Sequence, residues 1–283
     1  MSEGEGSQPA RAQPFTSNLS VAEHHAIRSA GFTPVGQVLG TCVYAIGYTG
    51  TWNCGYWGGY GVVGRGFGGM ASHTTEAPGL RDSLYQARTL AMQRMQGEAA
   101  AFGGDGVVAV RLTVAPFEGA GLEFRAIGTA VRADGPVRPR TPFTSDLSGQ
   151  EFGSLVRAGW VPTALVLGIA VMVRHDDWRT QSQSRSWSNQ EVGGYTDLVT
   201  QARAKARDRL RHDCARHGGE TVVVRDLTLD IRERSCNASN SEGHDHIAEA
   251  MVVGTAIAPF RHAGGNAPTP PLPVLRLNSG RIS

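Results

Sequence analysis

Residues 142–168 read PFTSDLSGQEFGSLVRAGWVPTALVLG and repeat residues 14–40, which read PFTSNLSVAEHHAIRSAGFTPVGQVLG. The two stretches align without a gap and agree at 13 of 27 positions, far more than the composition would produce by chance. Self-similarity of this kind indicates a repeated structural unit. The sequence therefore predicts a tandem duplication, in which each stretch opens one copy of the same fold.

Each stretch contains the start of a helix. Ser20 and Glu23 in the first copy, and Ser148 and Glu151 in the second, have the Ser-x-x-Glu spacing of a capping box. In this motif the serine hydroxyl accepts a hydrogen bond from the third helical amide, and the carboxylate accepts one from the N–H of the serine. A glycine and then a proline follow in each copy, which predicts a left-handed helix end and a change to a strand.

A second, longer helix is predicted in each copy, because small and apolar residues recur every three or four positions, as one buried helix face requires. In the first copy this stripe consists of Leu84, Ala87, Ala91, Met95, Ala99 and Phe102. In the second copy it consists of Val199, Ala202, Ala206, Leu210, Cys214 and His217. Both helices end at a double glycine, and two strand-like runs follow each of them, which predicts an antiparallel hairpin.

These elements predict an α+β fold with two tandem units of the same order: short capped helix, strand, loop, long helix, strand, strand. In each unit one small antiparallel sheet packs on the long helix. The predicted domains are a disordered lead-in at 1–13, a first unit at 14–133, a linker at 134–141, a second unit at 142–258 and a proline-rich disordered tail at 259–283. The chain of 283 residues is long enough for two such units.

Composition argues against several classes of protein. Hydrophobic residues make up 40% and charged residues 18% of the chain, which is typical of a globular protein. The formal net charge is +2 and the basic residues are scattered, so the sequence predicts no nucleic-acid partner. No apolar run reaches the roughly 18 residues of a membrane span, no signal peptide is recognisable, and four cysteines are too few for a disulfide framework. We therefore expect a cytoplasmic protein.

Three phrases of the first copy resemble a known family. They are Leu84-x-x-Ala87-Arg88, then Gly103-Gly104-Asp105-Gly106-Val107-Val108, and finally Gly128-Thr129-Ala130-Val131. This pattern resembles the YbjQ-like family, whose domain is named for heavy-metal binding, and the leading helices resemble tandem actinobacterial members. The second copy departs from it, with Glu220-Thr221 in place of the Asp-Gly pair and an enlarged hairpin. The resemblance implies a curved antiparallel sheet on one helix and assembly into ring-shaped homo-oligomers, commonly pentamers.

The family name raises the question of a heavy-metal site, and the best candidates are Cys236, His244 and His246. They lie in the enlarged hairpin, where alternating histidines can point the same way and bind a divalent metal such as Zn or Cu. A polar hairpin tip without metal remains the favoured interpretation of this segment, and no other cofactor is expected. Cys214 and His217 share a helix face, but their place in the apolar stripe favours packing over metal binding. The remaining candidate ligands are His24, His25, Cys42, Cys54, His73 and Asp245.

A glycine-rich loop at 47–70 is predicted to be an adhesive surface. Its aromatic residues are Tyr48, Trp52, Tyr56, Trp57, Tyr60 and Phe67. Glycine gives backbone freedom and aromatic rings supply contact area, a combination suited to contact with a protein or a lipid surface. The equivalent segment of the second copy, 175–195, is polar and is interpreted as a loop or hairpin. We therefore predict a homo-oligomer larger than a dimer that is held mainly by the first copy.

Catalytic motifs are missing from the sequence, including HExxH, GxSxG and GxxxxGK. Arg88 and Arg203 occupy equivalent helix positions, and Asp105 and Glu220 occupy equivalent corners. They either hold an anion or pair across an interface, or, as the favoured interpretation, cap carbonyls and turns. Two functions stay open: a non-enzymatic oligomeric binding or scaffold protein, which is favoured, and a metal-sequestering protein or small enzyme that uses the loop from Cys236 to His246.

Overall fold

The computed structural model describes residues 16–45, 74–117, 121–136, 138–236 and 243–260. The predicted lead-in, the aromatic residues of the loop at 47–70 and nearly all of the predicted tail lie outside these residues. The side chains of residues 234–236 and 243 also lie outside the description. The predictions that concern those segments therefore stay predictions.

The described chain has the same order of major elements in its two halves. The first half contains α1 (Val21–Ser29), β1 (Phe32–Ala45), β2 (Thr75–Glu76), α2 (Pro78–Ala101), β3 (Gly106–Phe117) and β4 (Gly121–Ala133). The second half contains β5 (Phe143–Thr144), α3 (Gly149–Arg157), β6 (Trp160–His175), α4 (Trp178–Ser184), α5 (Gly193–Arg216), β7 (Thr221–Cys236) and β8 (Gly243–Pro259). The predicted α+β class, with two copies of a sheet on one long helix, is confirmed.

Both short helices begin at the predicted capping boxes. The Ser20 N–H donates to the Glu23 carboxylate at 2.8 Å, and the Glu23 N–H donates to the Ser20 hydroxyl at 3.3 Å. Ser148 and Glu151 form the same pair of hydrogen bonds at 2.8 and 3.3 Å. The glycine that follows α1, Gly31, has a φ of 81°, the left-handed conformation predicted for a helix end.

The long helices bury most of the predicted stripe, with three corrections. Leu84, Ala87, Ala91, Met95 and Ala99 are buried on α2, and Ala202, Ala206, Leu210 and Cys214 are buried on α5. Phe102 and His217 are exposed instead of buried, because each is the C-cap residue beyond the last helical turn. In the first turns of α5, Leu198 is the buried residue, while Val199 is only half-buried.

Each half contributes a strand to the sheet of the other half, which the predicted three-stranded units did not include. The strand orders are β1-β4-β3-β5 and β2-β6-β8-β7. Strand β5 pairs parallel with β3, and β2 pairs antiparallel with β6. An open sheet edge exposes unpaired amides and carbonyls, so a neighbouring segment is bound there. The two halves are therefore interlocked by backbone hydrogen bonds.

The segment 175–195, predicted as a loop or hairpin, contains the short helix α4. Asp177 is its N-cap, and its carboxylate accepts a hydrogen bond from the Thr180 N–H at 2.7 Å. An N-cap aspartate satisfies one of the free amides of the first helical turn, which stabilises this helix. The two tryptophans of the segment face solvent, with Trp178 79% exposed and Trp187 fully exposed.

The sheet of the second half is covered on both faces. Alternate residues of β6 point to opposite faces: Val166, Ala170 and Met172 join the core under α5, while Leu167, Ile169 and Val171 join a core formed with the first half. Within the described residues, no helix is both long and apolar enough to span a membrane. The largest core thus lies across the boundary between the halves.

Candidate functional site

The predicted metal residues lie at the hairpin end of the second sheet. His244 and His246 alternate along β8 and share one face, as expected. His244 Nδ1 lies 2.8 Å from a carboxylate oxygen of Glu233. Cys236 is paired in register with Gly243, but its thiol lies outside the described side chains. The structure thus brings the two histidines to one face, and the position of the third predicted ligand remains untested.

His246 belongs to a hydrogen-bonded group that also includes Tyr195 and Asp176. Its Nε2 lies 3.0 Å from the Tyr195 hydroxyl and 3.2 Å from Asp176 Oδ1. Burial, reinforced by the negative charge of Asp176, raises the pKa of Tyr195 to about 12, so its hydroxyl stays protonated at neutral pH. On the opposite face, His175 Nδ1 lies 2.8 Å from Asp245. These contacts orient each histidine toward a carboxylate or hydroxyl.

The described side chains do not converge on a metal centre. Among them, no group of three or more His, Cys, Asp or Glu residues has a geometry that could hold a metal ion. Cys214 is buried and its thiol lies 3.6 Å from the Thr221 carbonyl oxygen, which agrees with a packing role. Burial, together with the charge of Asp213, raises the pKa of the Cys214 thiol. His24 and His25 are exposed on α1, Cys42 is buried, and Cys54 and His73 lie outside the described residues.

Arg88 pairs across the boundary between the halves. Its guanidinium lies 3.7 Å from the Glu249 carboxylate on β8 and 5.1 Å from the centre of the Phe124 ring. The side chain is buried, which lowers the pKa of Arg88 despite the attraction of Glu249. It also donates to the Leu84 carbonyl at 3.4 Å, which lies one turn earlier in the interior of α2 and not at a helix end. Sequence reasoning considered an interface pair but did not find Glu249, which is distant in the chain.

A second charged group joins the halves at the start of α2. Glu76 accepts a hydrogen bond from Arg81 at 2.9 Å, lies 3.3 Å from Lys205, and pairs with Arg209 on α5. Burial opposes ionisation of Glu76, but the hydrogen bonds from Arg209 and Arg81 outweigh it and lower the pKa of the carboxyl. Nearby, the Ile169 N–H donates to the Tyr85 hydroxyl at 2.8 Å. No sequence motif marks these partners.

A buried polar group lies where the second half begins. The hydroxyl of Thr255 on β8 accepts from the Asp146 N–H at 3.0 Å, lies 3.0 Å from the Ser145 hydroxyl, and donates to the Asp146 carboxylate. The other carboxylate oxygen of Asp146 is buried and has no hydrogen-bond partner within the described structure. Burial therefore raises the pKa of Asp146.

The contact between the halves is one-sided. Leu167 and Val171 on β6 are 5% and 0% exposed, because the first half covers them. Their sequence equivalents on β1, Leu39 and Val43, are 47% and 50% exposed. Within the described part of the chain, the sheet of the first half therefore presents a half-exposed apolar face at Leu39 and Val43, which we call the open sheet face.

The comparisons with known proteins give the family. Residues 64–134 match the YbjQ family, whose description reads "Putative heavy-metal-binding". The chain is 33% identical over 272 residues to the Encapsulin nanocompartment protein Rv1762c of Mycobacterium tuberculosis, covering 94% of this chain and 92% of that protein. The chain belongs to the YbjQ-like family. A UPF0145 protein of Halorubrum lacusprofundi is 44% identical to this YbjQ-like chain over 57 residues, which cover 20% of the chain and 55% of that protein.

Proposed function

We propose that this YbjQ-like protein is a non-enzymatic scaffold or ligand-binding protein that works as a ring-shaped homo-oligomer. The observation that supports this most directly is the open sheet face, where Leu39 and Val43 are half exposed. Burial of apolar surface is worth roughly 25 cal/mol per Å², so an uncovered apolar sheet face favours association. The similarity to a relative named as a nanocompartment protein also supports a role in a protein assembly.

The outer strand of the second sheet supports the same proposal. Val224 and Ile231 on β7 are 53% and 50% exposed, and β7 is at the edge of its sheet. A long edge strand with apolar side chains is a template for pairing with another chain. The second half therefore offers a second surface for association, at the β7 edge of its sheet.

The mass of the purified protein in solution tests this proposal. The single chain has a mass of 30.1 kDa, and light scattering after gel filtration should give a mass above that of two chains. A monodisperse species at the single-chain mass, across the concentrations tested, would rule the assembly out.

Metal binding at the hairpin of the second half is the alternative function. It is supported by the two histidines on one face of β8, with the Glu233 carboxylate 2.8 Å from His244. Elemental analysis should then find stoichiometric Zn or Cu that is lost on Cys236→Ala. The variant His217→Asn, on an exposed histidine of the α5 C-cap, serves as the control and should keep the metal. Purified wild-type protein without bound metal after exposure to Zn and Cu would contradict this function.

A further inference from the structure

Within the described residues, each half also carries residues equivalent to those with which the other half makes the contact between the halves. We propose that the second half of one chain docks on the first half of another chain through this same contact. The proposal rests on the proposed homo-oligomer and specifies its interface. Each residue of the internal contact has a sequence equivalent in the opposite half of the chain. These equivalent residues are the ones that face each other in the docked pair of chains.

The first matching feature is a charge pair. Within the chain, Arg88 on α2 pairs with Glu249 on β8 at 3.7 Å. The equivalent of Arg88 is Arg203, which follows Ala202 as Arg88 follows Ala87, and it is exposed on α5. The equivalent of Glu249 is Glu123 on β4, five residues before the Gly-Thr-Ala phrase that both halves share. Docking would therefore bring an arginine of one chain to a glutamate of the next.

A second charge pair is also present at equivalent positions, with an acidic residue again matching an acidic one and a basic residue matching a basic one. Glu76 pairs with Arg209 within the chain, and their equivalents are Glu191 and Arg94. Arg209 is held by a hydrogen bond to the Ile169 carbonyl, and Arg94 donates to the carbonyl of Thr41, the equivalent residue of β1. Arg94 is thus already oriented as Arg209 is.

The open sheet face supplies the apolar part of the same contact. Leu39 and Val43 correspond to Leu167 and Val171, which the first half covers within the chain. In the docked pair, the second half of a neighbouring chain would cover Leu39 and Val43 in the same way. Apolar residues at the centre with charge pairs around them are what protein interfaces show.

The edge strand β7 supplies the last equivalent of the internal contact. Within the chain, Ser145 donates its N–H to the Val107 carbonyl and accepts from the Val110 N–H, both at 2.9 Å, so that the start of the second half lies along β3. The equivalent segment of the first half, residues 16–19, is exposed or half-buried, and β7 is the equivalent of β3. Residues 16–19 of one chain can therefore add to the β7 edge of another.

The helical part of the contact cannot be repeated unchanged. Helices α1 and α3 approach closely, because a Cβ added to Gly153 would lie 2.7 Å from the Ala26 carbonyl oxygen and one added to Gly149 would lie 2.7 Å from the Glu23 Cβ. The equivalent positions on α1 hold His25 and Val21. The docked helices must therefore lie farther apart, which makes the contact between chains weaker than the contact within one. Since each chain offers two different surfaces, docking continues until a ring closes.

Charge reversal in single chains and in mixtures tests this geometry. Arg203→Glu and Glu123→Arg should each weaken association by about tenfold or more, because each places like charges together. The double variant should regain most of the wild-type association, since every contact then joins opposite charges. In an equimolar mixture of the two single variants, the contacts between unlike variants join opposite charges, so the mixture should associate more strongly than either variant alone. Association is measured as mass against concentration, and circular dichroism confirms that each variant is folded. Glu191→Arg and Arg94→Glu form a second, independent set.

The outcomes distinguish a wrong docking interface from a wrong proposed function. A wild-type oligomer whose association is unchanged by Arg203→Glu and Glu191→Arg would overturn this docking mode and leave the scaffold proposal standing. Weakening by the single variants without recovery in the double variant would overturn it as well. A wild-type protein that stays a single chain would overturn both.

Discussion

At the scale of single residues, the two halves share a buried threonine and differ in its hydrogen-bond partner. In the first half, the Thr129 hydroxyl donates to the side-chain carbonyl of Asn18 at 2.6 Å. In the second half, Thr255 donates to the carboxylate of Asp146, which is only 6% exposed. An amide is neutral at every pH, whereas a buried carboxylate costs free energy when it is charged. At this site the second half therefore carries a pH dependence that the equivalent site of the first half lacks.

The expected consequence is that Asp146→Asn stabilises the protein at neutral pH. Burial raises the pKa of Asp146 in the folded state, so the folded state binds the proton more tightly than the unfolded state does. Its contribution to stability is fully present below the unfolded pKa and is lost as the pH rises through the folded pKa. Relative to wild type, the asparagine variant should gain about 1 to 3 kcal/mol at pH 7 and much less at pH 4.

Urea unfolding at the two pH values measures this difference. Asn18→Asp is the matched control, measured at a protein concentration low enough to keep chains apart, because Asn18 is exposed in the single chain and a carboxylate there stays in contact with water. It should change the free energy of unfolding little at either pH. A variant Asp146→Asn that is less stable than wild type at pH 7 would show that the charged carboxylate is stabilising instead.

At the scale of elements, local signals decide where helices and strands begin and end. The capping box of Ser148 and Glu151 starts α3, and a glycine ends it, as the sequence predicts. The packing of helix on sheet depends on residues without a local signal. The α5 backbone lies against β6 at Gly168, where an added Cβ would lie 1.9 Å from the Ala206 carbonyl oxygen.

Gly168→Ala should therefore destabilise the protein by about 3 kcal/mol, because neither a strand nor a helix backbone can move without disturbing its ladder of hydrogen bonds. Gly97→Ala on α2 is the control: an added Cβ meets no atom within 4 Å there, and alanine favours the helix by roughly 0.5 to 1 kcal/mol. Thermal unfolding of the two variants should shift in opposite directions. Equal shifts would mean that the close approach at Gly168 carries no energetic cost.

At the scale of the whole molecule, the largest core joins the two halves. Leu167 and Ile169 of the second half pack in the same cluster as Val38 and Met95 of the first. The buried pair of Arg88 and Glu249 crosses the same boundary. Neither half covers its apolar surface alone, so the halves should not unfold independently.

Calorimetry should show one cooperative transition, with equal calorimetric and van't Hoff enthalpies. Gly168→Ala, which lies in the second half, should lower the temperature of that whole transition and not of one part. Measurement at low protein concentration keeps dissociation of an oligomer separate from unfolding. Two resolved transitions, of which the variant shifts only one, would show that the halves are independent domains.

The sequence by itself determined the two-copy plan, both capping boxes and most of the buried helix stripes. These features depend on residues within a few positions of one another, and their spacing records which face is buried. Even there, Phe102 differs from expectation, because the exact last turn of a helix is set by its surroundings. Local pattern was thus enough for the major helices and strands and for their order, but not for α4 or for the short strands β2 and β5.

Only the tertiary structure decided how the halves meet. The exchange of β2 and β5 between sheets uses backbone hydrogen bonds, which leave no side-chain signature in the sequence. The partners Arg88 and Glu249 lie far apart in the chain, so no spacing rule connects them. Leu39 and Leu167 occupy equivalent positions, yet one is exposed and the other is buried, because burial depends on which surface of another unit reaches each strand.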